Sequence, residues 1–102
     1  MASYTISKAR LIHRIKLIDQ AGGIEERMIW EVPKSAKCSD RVRYRLAYIP
    51  HGAKRPAILY DNHHPKGHHR HIQGRELPYE FSGVEKLLDD FRRDVEGLRW
   101  RH

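Results

Sequence analysis

Residues 41–49 read RVRYRLAYI. Val42, Tyr44, Leu46 and Tyr48 alternate with Arg41, Arg43, Arg45 and Ala47, the period of a strand with one apolar face and one cationic face. Its tyrosines and branched residues suit a pleated, half-buried surface. The segment decides the fold because everything else follows from two questions: what pairs with this strand, and what covers its apolar side.

Toward the N-terminus lies a polar loop, KSAKCSD, and before it GIEERMIWEVP, where Ile24, Met28, Trp30 and Val32 share a parity. A strand over about 24–32, ended by Pro33, accounts for this spacing. The turn signal DQAGG precedes it. Residues 10–18 alternate as well, with Leu11, His13, Ile15 and Leu17 on one side and Arg10, Ile12, Arg14 and Lys16 on the other, so 10–18 and 24–32 form a hairpin.

Toward the C-terminus, PHGAKRP supplies turn chemistry and AILYDN returns antiparallel as a strand over 57–62. A short strand over 68–73, HHRHIQ, follows the Pro-Lys-Gly turn, with Gly74 closing it. The period then changes. Val84, Leu87, Leu88, Phe91, Val95 and Leu98 recur at three and four residues, the stripe of an amphipathic helix over 83–98. Ser82 and Glu85 make a capping box at its start.

The expected fold is therefore α+β: an antiparallel meander of four to five strands, packed on one face by a C-terminal helix. Leu11, Ile15, Met28, Trp30, Tyr44 and Leu46 are expected beneath the helix. Arg10, Arg14, Lys16, Arg41, Arg43 and Arg45 then fall on the opposite face. That face is either a surface for nucleic acid or a solvated sheet whose arginines pair with Glu25 and Glu31.

A chain of 102 residues, 39% hydrophobic and 32% charged, is expected to fold as one domain, residues 1–102, with a single modest core. No run approaches the roughly 18 to 20 apolar residues of a membrane span, and the first residues lack the apolar centre of a signal peptide, so a cytoplasmic location is expected. The one cysteine, Cys38, excludes an internal disulfide or a multi-cysteine zinc framework and reads as incidental. The formal net charge is +7. Residues 83–102 carry Lys86, Arg92, Arg93, Arg99 and Arg101 against Glu85, Asp89, Asp90, Asp94 and Glu96, which cancel. The excess lies in residues 1–82 and suits a polyanionic partner, nucleic acid above all.

Residues 60–71, YDNHHPKGHHRH, hold five of the eight histidines. A metal site is one reading: His69 and His71 share a strand face, and His63, His64 and Asp61 can approach from the preceding loop. Lys66, Arg70 and Arg75 oppose a divalent cation, however, and the spacing matches no common zinc pattern. Acid–base chemistry suits the cations better. Two imidazoles on one strand face can flank a phosphodiester, and for RNA the adjacent 2′-hydroxyl attacks, so no metal or other cofactor is expected. A polar hairpin tip without chemistry is the third reading.

The series YRLAYI, ILYDN, HHRH, PYEF and LLDDFRRDV resembles the TumE-type toxin family of toxin–antitoxin pairs over roughly residues 40–96. Tyr60, Asp61, Asn62, His64, Gly67, His68, His69, Arg70 and His71 fall on its pattern, followed by Tyr79, Glu80 and Phe81. His63 and Pro65 depart from the small residue and glycine expected there. The resemblance implies a growth-inhibiting toxin that acts on RNA and is neutralised by a helix-turn-helix antitoxin.

On this reading His69 and His71 form the acid–base pair, His64 and Asp61 orient an imidazole or the substrate, and Arg70 or Arg75 contacts phosphate. Alternation along a strand turns Arg70 away from the two histidines, leaving Arg75, Lys66 or the sheet arginines Arg43 and Arg45 for that contact. Tyr60 and Tyr79 either stack on bases or pack in the core. The competing readings are a metal-dependent nuclease, a nucleic-acid-binding module that does not cut, and a structural partner whose edge strands pair into a homodimer.

Overall fold

The computed structural model describes residues 8–99. Six strands follow in chain order: β1 (Arg10–Ile18), β2 (Ile24–Glu31), β3 (Val42–Ile49), β4 (Ile58–Asp61), β5 (His69–Ile72) and β6 (Arg75–Pro78), then the helix α1 (Val84–Arg99). Each strand pairs antiparallel with the next, so the sheet is a continuous meander.

The sixth strand is absent from the sequence expectation. Gly74 does not close β5; with Gln73 it forms a two-residue turn between Ile72 and Arg75, both turn residues having positive φ (48° and 84°). Such a turn matches the twist of the strands it joins. β6 is short, ends on Pro78 and carries only one half-buried apolar residue, Leu77. It therefore leaves no periodic signal.

The register sorts the side chains. On one face lie Ile29, Tyr44, Leu46, Tyr48, Ile58 and Tyr60, which form a single core with Leu87, Phe91, Val95 and Leu98 of α1. The helical stripe is the expected one. The β2 residues beneath it are not. Ile29 faces the helix, whereas Met28 and Trp30, opposite Arg45 and Arg43, lie half-buried on the other face.

Widths explain the exchange. A helix about 10 Å across covers roughly two strand spacings of about 4.8 Å, so one helix cannot cover six strands. β3 and β4 take its apolar stripe, and β2 lies at its margin. There Glu25 and Arg27 on the helix side pair with each other at 2.5 Å and Arg99 approaches Glu25 at 3.9 Å. A strand so placed can show the helix its charged residues provided they pair.

In β1 the register shifts between Leu11 and His13. This bulge puts Leu11 on the open face and His13, Ile15 and Leu17 on the helix side, where the expectation had all four together. Leu11 is 40% exposed and Leu17 50%, so β1 contributes little to the core. Arg10 moves with the bulge and meets Glu31 at 2.7 Å on the helix side. Arg41 lies ahead of β3 and is exposed. Arg14, Lys16, Arg43 and Arg45 remain on the open face. Of the expected pairings with Glu25 and Glu31 only Arg10–Glu31 forms, and on the helix side; the cations left on the open face pair with neither acid, because both acids lie on the other face.

α1 begins at Gly83, whose carbonyl accepts from the Leu87 N–H at 3.1 Å. Gly83 is thus the capping residue, and Ser82 makes no side-chain hydrogen bond among the described residues. Glu85 in the first turn and Arg99 in the last complement the helix dipole. Cys38 is buried in the 34–40 loop and its thiol donates to the Val42 carbonyl at 3.0 Å, a packing role.

Candidate active site on the open sheet face

β4 ends where Asn62 replaces a backbone partner. Its Oδ1 accepts from the Tyr44 N–H at 3.0 Å and its Nδ2 donates to the Val42 carbonyl at 2.6 Å. The side chain so continues the ladder of β3 while the main chain leaves for the 63–68 loop. Gly67, at φ 73°, turns the chain back. β5 re-enters with His69 opposite Asp61 and His71 opposite Leu59, and β6 places Glu76 opposite His71.

One row across the open face accordingly reads Arg14, Met28, Arg45, Asp61, His69, and the next reads Lys16, Glu26, Ala47, Leu59, His71, Glu76. The histidine pair expected to share a face does share one. Their rings stand 5.1 Å apart, nearly perpendicular. With strands about 4.8 Å apart, Arg45 lies about 10 Å across the sheet from His69.

The two rings are held differently. His69 is 8% exposed; its Nδ1 faces the Gly67 carbonyl at 2.8 Å and its Nε2 faces Asp61 Oδ1 at 3.0 Å. Both oxygens only accept, so both bonds are donated together only by the doubly protonated ring. His71 is half-buried and freer, with Nε2 3.4 Å from Glu76 Oε1. Lys66 reaches over from the loop and donates to the same oxygen at 2.7 Å. That contact holds the Glu76 carboxyl below its ordinary range and lifts the Lys66 ammonium above its own.

Beside this row runs a groove of about 340 Å³ lined by Met28, Trp30, Arg43, Arg45, Asp61 and His63. Arg43 Nη1 approaches His63 Nδ1 at 3.5 Å. Among the described residues, Arg14, Lys16, Arg43 and Arg45 have no carboxylate partner. Arg14 and Arg45 stand opposite Met28 on either side, and Arg43 opposite Trp30.

Other candidates lie elsewhere. Arg70 is on the helix side, donating from Nη1 to the Tyr60 hydroxyl and to Asp94 Oδ2, each at 3.1 Å. Tyr60 is fully buried and its hydroxyl donates to Asp94; burial first, then that bond, raises its phenol above the ordinary range. The Tyr79 hydroxyl donates to Asp90 at 2.7 Å and its ring meets the Tyr60 edge at 5.1 Å. Both tyrosines pack against the helix rather than presenting a stacking surface. Arg75, opposite Ile72, is exposed on the helix side of the sheet margin. His64 is exposed in the loop without a side-chain hydrogen bond among the described residues.

Two residues of the site, and one on the helix side that supports it, escaped the sequence reading. Glu76 sits on the unrecognised β6, and Trp30 was expected beneath the helix. His68 stacks on Phe81 at 4.9 Å, its Nε2 donates to Asp40 at 2.6 Å and its Nδ1 lies 2.9 Å from the Tyr44 hydroxyl oxygen. This network ties the 34–40 loop to the start of β5. Only the HHRH run itself could have signalled it.

The molecule is a small α+β protein with one sheet face roofed by a helix and the other carrying cations, without salt bridges among the described residues, beside a histidine–carboxylate row. The chain matches the family model described as Toxin TumE over residues 2–99 and belongs to that family. It is accordingly the toxin of a toxin–antitoxin pair, with an antitoxin as its partner. No curated protein and no solved structure matches it. No helix among the described residues is long and apolar enough to cross a membrane.

Proposed function

We propose that the toxin is a metal-independent endoribonuclease that holds RNA across the open sheet face. The observation that carries this reading is the placement of His69, His71 and Asp61 on the face that also holds the unpaired Arg43 and Arg45. Arg43 and Arg45 contact phosphates and Trp30 stacks on a base. His71, with the freer ring, removes the 2′-hydroxyl proton. The 2′-oxygen then bonds to phosphorus as the bond from phosphorus to the 5′-oxygen breaks. His69 gives a proton to that departing oxygen, leaving a 2′,3′-cyclic phosphate and a 5′-hydroxyl. Asp61 and the Gly67 carbonyl position His69; Glu76 and Lys66 flank His71. Arg70, Arg75, Tyr60 and His64 have no part in it.

The test is cleavage of cellular RNA by the purified protein in EDTA. His71→Ala and His69→Ala should each lower the rate by about 10²-fold or more, the usual loss when a proton-transfer group is removed. Cleavage that survives both substitutions sinks the mechanism.

A second reading keeps the face and drops the chemistry: a module that binds RNA without cutting it. The engagement of both His69 ring nitrogens favours it. Intact RNA alongside salt-sensitive binding would select it. The family resemblance supports a helix-turn-helix antitoxin, to be sought by co-purification with the product of the adjacent gene. The exposed Leu17 and Ile18 on edge strand β1 support a homodimer, which a monomeric sedimentation profile would exclude.

A further inference from the structure

We propose that His69, His71 and Glu76, with Asp61 as a fourth donor, form a binding site for one divalent transition-metal ion. One ligand atom from each of the first three lies within 4.8 Å of the others. Donors about 2.1 Å from a tetrahedral ion stand about 3.4 Å from one another, so closure requires side-chain movements of about 1 Å. One pair has that spacing already, His71 Nε2 to Glu76 Oε1 at 3.4 Å, and His69 Nε2 to Asp61 Oδ1 is slightly closer at 3.0 Å.

The surroundings agree. A metal-binding imidazole commonly donates its second ring N–H to a backbone carbonyl, which fixes the tautomer and aims the other nitrogen at the ion. His69 does this: Nδ1 donates to Gly67, and Nε2 points to Asp61. The donors stand on three adjacent strands, β4, β5 and β6, a firmer support than a loop. Two imidazoles with carboxylates select zinc, cobalt or nickel over calcium and magnesium, which prefer all-oxygen sites.

Positive charge from Lys66, Arg70 and Arg75 argues against an ion when the residues are read in line. The fold removes two of the three, since Arg70 is bound to Asp94 on the helix side and Arg75 faces that side too. Lys66 remains, on Glu76. Its side chain is 61% exposed, and so exposed a pair is screened by water and readily separated. Lys66 is thus the cation that an incoming metal displaces. Resting on the ribonuclease reading, the ion also takes the imidazole lone pairs that proton transfer needs, and so suppresses cleavage. Binding itself does not depend on that reading.

The experiment titrates the full chain, stripped with EDTA and dialysed, with Zn²⁺ by calorimetry and with Co²⁺ by visible absorption. One ion per chain is expected. His71→Ala and Glu76→Gln, at sites that are not fully buried, should weaken it at least about tenfold with unchanged circular dichroism. Lys66→Ala should leave it as tight or tighter. Absence of saturable binding overturns the proposal, and so does binding that neither His71→Ala nor Glu76→Gln affects. Cleavage in EDTA by a protein that takes up no zinc removes the metal site and leaves the ribonuclease reading. A protein that binds zinc through these residues and cleaves only when loaded keeps the site and removes metal-free proton transfer.

Discussion

Asp19 gathers more polar contacts than its place in a turn would suggest. Its Oδ1 accepts from the N–H groups of Ala21 and Gly23 at 3.0 and 2.8 Å, and its Oδ2 from the Tyr48 hydroxyl at 2.6 Å. The Tyr48 bond above all, then the backbone bonds, hold its carboxyl below the ordinary 3.8, with Arg99 adding to the effect. The folded value is the lower one, so this contribution to stability is present above 3.8 and lost as pH falls through the folded value. Asp19→Asn should therefore flatten the acid limb of stability, measured as the urea midpoint from neutral pH down through the carboxylate range. Identical acid limbs in the two proteins would show that Asp19 carries no such linkage. The turn was legible from DQAGG; the tyrosine that loads it, 29 residues away in sequence, was not. Likewise, a spacing of two put His69 and His71 on one face, but which ring keeps the freer nitrogen depends on Gly67, Asp61 and Glu76.

Secondary structure was read well where apolar residues alternate in long runs, and poorly where the run is short. β3 and α1 announce themselves through Tyr44, Leu46 and Tyr48 and through Leu87, Phe91 and Val95. β6 has no such pattern, yet it supplies Glu76 and completes the site. Its existence rests on the Gln73–Gly74 turn. Gly74→Val forces a branched side chain to a φ near 84° and should destabilise the protein by about 1–3 kcal/mol. Gln73→Asn, a residue at home in this conformation, should cost nothing measurable. Urea denaturation compares them; equal midpoints for Gly74→Val and the parent would mean that β6 is not held by this turn. β2 misleads for another reason. Its apolar residues Ile24, Met28 and Trp30 share a parity, but the register against β3 turns Ile29 toward the helix and lets charge pairs fill the rest.

One helix on a six-stranded sheet leaves a face uncovered, and the chain fills that face with arginine and lysine. Because Glu25 and Glu31 are engaged on the helix side, Arg43 and Arg45 form no salt bridge among the described residues and stand beside the histidine row. If both contact phosphates of a single-stranded RNA, Arg43→Ala with Arg45→Ala should reduce the slope of log affinity against log salt by about 1.4, at about 0.7 per phosphate. Fluorescence anisotropy across a salt series measures it. Parallel slopes for parent and double variant would move RNA off this face.

Alternation and helical periodicity, which depend only on neighbours in the chain, were enough to establish an α+β meander with a C-terminal helix and a strand that presents His69 and His71 together. The face each strand buries, the sixth strand, the carboxylate partners of the two rings and the removal of Arg70 to the helix side came only with the tertiary structure. These are matters of register and of a helix narrower than its sheet. Both are settled by contacts between segments far apart in sequence, which no local pattern records.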